Sequence, residues 1–385
     1  MKAIFFRFSS YAKFAEKIQN TKFATIYDYE TQVKPTLNIY ESMGFNEQMI
    51  FRIFKNRGLS IVKGNTLNDI GQLNELFKNR LNAETKQMRT ILFKDPQILS
   101  HPIEKMNNYL DLFEKQLQIK KEDILSMLTA YPLLMRNFEV NYEKFRNVFN
   151  TYAHINDKQF GQILVNTPFL FSFNLERIPP NFRVMYNRDY KTKEIQELIQ
   201  KTSEFLALKN HDLDRLLNHY DVLIPNKEVQ HQLLINNHKL LLLTPAYMLS
   251  PKINLFKELG LSLNQIGQIL QICPNLFIKS VQTLKLKLKF FEKHLNIKIK
   301  DSQYFPQILE FDYWTVLRPR LVILNNLENA MDNLKMDQEE FIKKYDCEQK
   351  YQELLNEAPA KKKIDADFMI RKYHRYCHDR IQLLH

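Results

Sequence analysis

The sequence predicts an all-α fold built as a helical-repeat solenoid, on three observations. The 385 residues include only seven Gly, against a typical usage of about 7%. The sequence therefore contains too few glycines for glycine-rich phosphate loops or for many hairpin turns. The fourteen Pro outnumber the Gly, and several of them recur at one interval. Between these prolines, apolar residues follow the three-to-four spacing of a helix face. One elongated array therefore replaces the two or three domains that the length alone suggests.

The composition of residues 1–24 predicts a mitochondrial targeting segment. Five basic side chains face a single acid, Glu16, and are interleaved with aromatic and small hydroxylic residues. Organelle transit peptides share this basic, acid-poor and amphipathic composition. The alternative is that the segment forms the first helix of the mature protein. We expect the protein in the mitochondrial matrix.

Residues 25–324 carry a repeat that proline marks. In three segments a proline stands thirteen residues after an apolar starting residue, and Pro96 follows Ala83 at the same offset. These slot prolines are Pro96, Pro132, Pro168 and Pro274. Gly58 and His238 occupy the equivalent slot in two further segments, and Pro306 a slightly shortened one. The steps from 96 to 132 and from 132 to 168 are both 36 residues, whereas between 178 and 225 we find no clean slot. There we expect a degenerate repeat that carries an insertion.

Each repeat predicts a helix, a short turn that begins at the slot, and a longer helix. Proline ends the first helix because it has no N–H group and its ring clashes with the preceding turn. In the longer helix SPKINLFKELG, Gly260 is placed as a left-handed C-cap. The alternation LKLKLKF in 284–290 is compatible with a strand, but the repeat register places it in a helix. Such a unit cannot bury its apolar face alone, so neighbouring units must stack.

Two stretches resemble the mitochondrial transcription termination factor (mTERF) family. They are LSPKINLFKELGLSLNQIGQILQICPNLF at 249–277 and FPQILEFDYWTVLRPRLVIL at 305–324. The specific elements are the Leu-Gly-Leu-Ser turn, the proline followed by apolar residues, and the closing Arg318-Pro319-Arg320. The resemblance implies a left-handed superhelix shaped like a half ring, with a basic concave face and no catalytic activity. It also implies binding to mitochondrial DNA or ribosomal RNA, with a role in transcription or ribosome assembly.

The charge balance favours a polyanionic partner. The net charge is +12 and the pI is near 9.3, and Lys and Arg gain affinity for phosphates by releasing condensed counterions. The candidate nucleic-acid-binding residues are Arg136, Arg183, Lys252, Lys279, Lys285, Lys287, Lys289, Lys293, Arg318 and Arg320. The lysines from 279 to 293 also fit a simpler interpretation, in which one solvated helix face carries them.

Residues 325–385 predict a helical C-terminal cap with a basic tail. From Glu328 to Glu357 nine acids face four bases, and seven bases against three acids follow from Lys361 to Arg380. An acidic helix repels nucleic acid, so this cap fits a mitoribosomal or other mitochondrial protein partner better. The tail fits either an RNA contact or a solvated terminus.

The sequence contains no recognisable catalytic motif, so we expect no enzyme activity and no cofactor. GxxxxGK[ST], HExxH, GxSxG and GxGxxG are all absent. His211 and His219 lack a third metal ligand, and the set His374, Cys377 and His378 lacks a fourth, so we expect no metal. No apolar run approaches the roughly 20 residues that cross a bilayer.

Together these features predict a non-catalytic mitochondrial nucleic-acid-binding protein that acts in transcription regulation or mitoribosome assembly. The alternative is a helical-repeat scaffold or subunit of a mitochondrial protein complex with no direct role on nucleic acid.

Overall fold

The computed structural model describes residues 38–50 apart from 39 and 47, and residues 66–296, 298–301 and 305–357. The predicted targeting segment, the Gly58 slot, the basic tail and the His374, Cys377 and His378 set lie outside these residues. Within them, every regular element is helical and no strand occurs. The prediction of an all-α helical-repeat fold is confirmed.

The described residues form two compact units. The first holds the described residues up to Leu175 together with Ile199–Ser203, and the second holds Glu176–Leu198 and the described residues from Glu204 onward. In chain order the helices up to the first boundary are α1 (Thr66–Leu81), α2 (Thr85–Lys94), α3 (Ile103–Asp111), α4 (Lys121–Ala130), α5 (Leu133–Ala153) and α6 (Asp157–Asn166). Those that follow are α7 (Ile178–Tyr186), α8 (Thr192–Lys201), α9 (Asn210–Leu223), α10 (Lys227–Asn236), α11 (Lys239–Leu243), α12 (Ala246–Glu258), α13 (Leu263–Ile272), α14 (Val281–His294), α15 (Arg318–Leu324), α16 (Ala330–Lys335), α17 (Gln338–Tyr345) and α18 (Glu348–Asn356).

Six short helices define the repeat. The helices α2, α4, α6, α8, α10 and α13 are each ten residues long, and they begin at 85, 121, 157, 192, 227 and 263. The interval is therefore 35 or 36 residues throughout. The eleventh position after each start is the slot, which holds Pro in four repeats, Ser203 in α8's repeat and His238 in α10's.

The expectation of a degenerate repeat between 178 and 225 was wrong. The segment contains α7, α8, a short turn at Glu204–Ala207 and α9, in the same order and at the same interval as its neighbours. Ser203 occupies the slot, is fully buried, and its Oγ donates to Thr167 Oγ1 at 2.9 Å. No insertion interrupts the repeat there.

Most slots behave as predicted. Short turns of 3₁₀ helix begin at Pro96 and Pro274, and others follow within two residues of Pro168 and Pro306. Pro132 differs, because α5 begins at the next residue without an intervening turn. Its backbone is already helical, at φ −62° and ψ −27°, which the fixed φ of proline permits at a helix start.

The C-cap and helix predictions for 249–294 are confirmed. Gly260 has φ +83°, and the Leu261 N–H donates to the Phe256 carbonyl as in a Schellman motif. Ser262 then begins α13 through a reciprocal capping box with Gln265. The stretch LKLKLKF lies wholly within α14.

Two short helices approach the preceding repeat so closely that their fifth residue must be glycine. A Cβ atom at Gly161 would lie 2.4 Å from the Leu117 carbonyl oxygen, and one at Gly267 would lie 1.9 Å from that of Leu223. Cβ atoms essentially never come within 3.0 Å of a non-bonded heavy atom of another residue. Each glycine therefore permits direct packing of a helix on the carbonyl end of an earlier one.

Two other short helices use a hydrogen-bond donor at this fifth position. Arg89 Nη1 lies 3.0 Å from the Gly44 carbonyl oxygen, and His231 Nε2 lies 3.1 Å from that of Arg188. The carbonyls thus receive a partner even where the backbones stay further apart. The His231 ring also stacks on Tyr190, with 3.6 Å between ring centroids.

Residues 325–357 pack on α15. Phe341 and Tyr351 are fully buried, and Ile323 and Leu324 pack against their cluster. The Tyr351 hydroxyl donates to the Thr315 carbonyl at 2.9 Å. This acidic segment therefore shares a core with the last repeat.

Candidate nucleic-acid interface

Three of the predicted nucleic-acid contacts are buried and bind backbone carbonyls. Lys252 donates to the Phe277 carbonyl, and Lys287 Nζ lies 2.6 Å from the Leu309 carbonyl oxygen and 2.5 Å from that of Phe311. Lys252, Lys287 and Arg320 are at most 3% exposed. A phosphate cannot reach a cation so enclosed, so these three side chains are excluded from the candidate surface.

The remaining buried cation, Arg320, repeats this arrangement in α15. Its Nη1 lies 2.7 Å from both the Asn333 and the Met336 carbonyl oxygens, and its guanidinium carbon lies 5.0 Å from the Phe341 ring centroid. Each buried cation thus donates to carbonyls that follow it in the chain, between successive packed elements. Their first role is structural.

A neutral side chain does the same in α7. Asn181 is fully buried, and its Nδ2 donates to the Leu206 and Leu208 carbonyls at 2.8 and 2.9 Å. Asn181, Lys252 and Lys287 are separated by 71 and 35 residues, so they occupy one repeat position. We call these three residues the cross-tie position.

Burial changes the proton affinity of the two cross-tie lysines. Desolvation lowers the pKa of Lys252 to about 8 and that of Lys287 to about 7. Removing an ammonium from water penalises its charged form. Lys279 lowers the pKa of Lys287 further, whereas Asp312 and Glu310 act in the opposite direction.

The exposed cations of α14 form a row. Lys285, Lys289 and Lys293 are exposed and four residues apart, so they lie along one helix face. None of the three forms an ion pair with another described residue. Lys279, which precedes the helix, is half-buried. We call Lys285, Lys289 and Lys293 the basic row.

The position of Lys289 recurs as an exposed polar residue along the second unit. The long helices α7, α9, α12 and α14 pack in succession. Two residues after the cross-tie position each presents an exposed polar side chain. These are Arg183, Asn218, Asn254 and Lys289, at steps of 35, 36 and 35 residues.

Of these four residues, Arg183 and Lys289 are predicted from the sequence, whereas Asn218 and Asn254 are not. The repeat interval of 35 or 36 residues places Asn218 and Asn254 at the position of Lys289. It could not be applied to the sequence because residues 178–225 had no assigned register. Asn218 also accepts a hydrogen bond from Arg188 Nη2 at 2.7 Å. That contact fixes its amide.

Two predicted cations lie away from these features. Arg318 is 17% exposed and pairs with Glu357 at 2.5 Å, so its charge is already neutralised. Arg136 is half-buried in α5 of the first unit and has interactions of its own. The candidate surface of the second unit therefore consists of the basic row, Arg183 and the two asparagines.

The two histidines considered for a metal have separate partners. His211 Nε2 lies 3.2 Å from Asp212 Oδ1, and His219 Nε2 lies 3.0 Å from Ser250 Oγ. Among the residues that the structure describes, no three His, Cys, Asp or Glu side chains come together as a metal site requires. Nor does any helix in this part of the chain have the length and apolar character to cross a membrane.

The helix pairs that recur every 35 or 36 residues define an α-helical repeat protein. The mTERF family matches the chain twice, over residues 9–153 and 147–336. The chain therefore belongs to the mTERF family. Membership suggests a nucleic-acid-binding helical-repeat protein, generally without enzymatic activity and commonly organellar. No curated protein matches the sequence.

Proposed function

We propose that the protein binds mitochondrial DNA or ribosomal RNA in the mitochondrial matrix and acts, without catalysis, in transcription regulation or mitoribosome assembly. The basic row of α14 carries this proposal. Its three ammonium groups are exposed, lie on one face, and have no acidic partner among the described residues. Family membership and the net charge of +12 support the same partner class.

Phosphate contacts of this kind give affinity and position without reading sequence. Asn218 and Asn254 lie at the repeat position of Lys289 in the neighbouring helices. Amides donate and accept hydrogen bonds, so they complement phosphates, sugars or base edges equally well. We therefore propose that the lysines provide affinity and that the two neutral asparagines provide selectivity.

Salt-dependent binding tests the proposal. A labelled duplex DNA and a labelled structured RNA are titrated with the full chain between about 50 and 200 mM salt. For duplex DNA the slope of log K against log salt is about −0.9 per neutralised phosphate. Replacing Lys285, Lys289 and Lys293 by Gln should therefore flatten the slope by up to about 2.7 units.

A matched control carries Gln at Lys335, Lys343 and Lys350. These are also three exposed helical lysines, but they lie in the acidic segment. The control removes the same formal charge and should leave the slope unchanged. Equal loss in both variants would mean that only net charge matters, and absence of binding by the unaltered chain would overturn the proposal.

Crosslinking in mitochondria, followed by sequencing of the attached nucleic acid, distinguishes DNA from RNA. If nothing is attached, and the protein sediments with a large complex after nuclease treatment, the scaffold function takes its place. A fluorescent protein fused to residues 1–24 tests the targeting segment, with mitochondrial fluorescence as the expected result.

A further inference from the structure

Lys287 lies directly beneath the basic row. It is two residues from both Lys285 and Lys289, about 200° around the helix axis, and so lies on the opposite face. Its side chain is fully buried and its Nζ donates to the Leu309 and Phe311 carbonyls. Those carbonyls flank the end of the short turn Gln307–Glu310. The residue therefore fixes α14 against that turn with the row facing solvent.

This anchoring does not require a charge. Asn181 performs the same donation as a neutral amide, and an amine also has N–H groups to donate. The ammonium form carries a desolvation penalty that an amide avoids. Because the pKa of Lys287 is about 7, both forms are populated near neutral pH.

The charged groups that act on Lys287 belong to α14's own repeat and to the turn below it. Lys279 disfavours the ammonium, and Glu310 and Asp312 favour it. A phosphate held on the basic row adds further negative charge about one helix diameter away, roughly 10 Å. At that distance an opposite unit charge alters the ammonium's equilibrium by about two- to tenfold, depending on the effective dielectric constant.

We propose that Lys287 is a proton-linked positioning residue for the basic row, so that phosphate binding on the row and protonation of Lys287 favour one another. This rests on the proposed function, that the row binds phosphates. The linkage is reciprocal: bound nucleic acid promotes proton uptake, and a lower pH strengthens binding by the same factor. Both forms keep hydrogen bonds to the carbonyls, so α14 stays in place.

Lys252 provides the matched control within the same chain. It occupies the same repeat position in α12 and is equally buried. At the positions of Lys285, Lys289 and Lys293, however, α12 carries Ser250, Asn254 and Glu258. No basic row therefore lies above Lys252, and its protonation is not linked to phosphate binding on such a row.

The test measures affinity for a labelled duplex DNA and a labelled RNA hairpin from pH 6 to 8.5 at constant ionic strength. All chains carry His294→Gln, so that the one histidine of α14 contributes nothing to the pH profile. We expect affinity to fall about two- to tenfold as the pH rises through 7. Lys287→Met should abolish most of this dependence, and Lys252→Met should preserve it.

A second measurement needs no substitution at Lys287. Calorimetric titration in two buffers of different ionisation enthalpy gives the protons taken up on binding. A two- to tenfold linkage corresponds to about 0.2 to 0.4 proton at pH 7. If Lys287→Met does not fold, as judged by circular dichroism, the measured proton uptake alone decides whether protonation is linked to binding.

The outcomes separate the inference from the proposed function. Binding without proton uptake, or with a pH profile that Lys287→Met leaves unchanged, overturns the linkage and leaves nucleic-acid binding intact. Absence of binding at every pH overturns the proposed function and the linkage with it.

Discussion

Gly267→Ala should destabilise the second unit even though alanine is the better helix former. The added Cβ would lie 1.9 Å from the Leu223 carbonyl oxygen and 3.0 Å from its carbonyl carbon, whereas ordinary contact begins at 3.4 Å. To reach that distance α13 must move away from the end of α9 by about 1.5 Å, since the obstacle is backbone. Overpacking costs about 1–3 kcal/mol, and a contact this short with backbone takes the upper end of that range, whereas the higher helix propensity of alanine offsets about 1 kcal/mol. We expect a net loss of about 2 kcal/mol in the free energy of unfolding.

Urea unfolding followed by helical circular dichroism measures this loss. The control is Gly71→Ala in α1, where a Cβ meets nothing within 4 Å and stability should rise by up to about 1 kcal/mol. Gly161→Ala, at 2.4 Å from the Leu117 carbonyl oxygen, should be destabilising as well. Stability of Gly267→Ala equal to that of the unaltered chain would refute the close packing of α13 on α9.

Three further predictions follow from the buried donors. Asn181→Ala leaves the Leu206 and Leu208 carbonyls without this donor and should lower the free energy of unfolding by about 1–3 kcal/mol. The midpoint of urea unfolding measures this loss, and an unchanged midpoint would contradict the role of the cross-tie position. Arg320→Met removes the donor to the Asn333, Leu334 and Met336 carbonyls and should raise amide hydrogen exchange in α16 to α18. Unaltered exchange there would contradict this structural role of Arg320. The pKa values of Lys252 and Lys287 are about 8 and 7 in the folded chain, and that of an unfolded lysine is about 10.4. Between about pH 7 and 10 the unfolded chain therefore binds more protons than the folded chain. Stability should therefore rise from about pH 7 to 10 and level off below 7, and Lys287→Met should reduce that rise in denaturation at several pH values.

The sequence predicted the repeat wherever proline marked it. Pro96, Pro168 and Pro274 identified helix ends because the residue before proline is driven out of helical backbone. The same backbone forms without proline, however. Asn237, which precedes His238, has φ −121° and ψ 47°, close to the φ −133° and ψ 64° of Cys273 before Pro274. The backbone geometry of the slot therefore does not require proline, and Ser203 fills it without leaving a sequence signal.

The positions of charged side chains were harder to predict than the helices. Net charge and local composition treat every lysine alike, although Lys252 and Lys287 bind carbonyls while Lys289 faces solvent. Burial of a lysine is normally unfavourable. It is tolerated here because backbone carbonyls at the end of a short turn need donors and a long side chain can reach them. Such partners become identifiable only when the packing of successive repeats is known.

Part of this distinction was nevertheless contained in the helical period of α14. Once 284–290 is assigned to a helix, Lys287 lies three residues after Leu284 and three before Phe290, on the face that these apolar side chains bury. Lys285 and Lys289 lie about 160° away from it. A lysine within an apolar face either unfolds that face or finds acceptors there. The alternation that first resembles a strand thus predicts, in a helix, one enclosed lysine beneath two exposed ones.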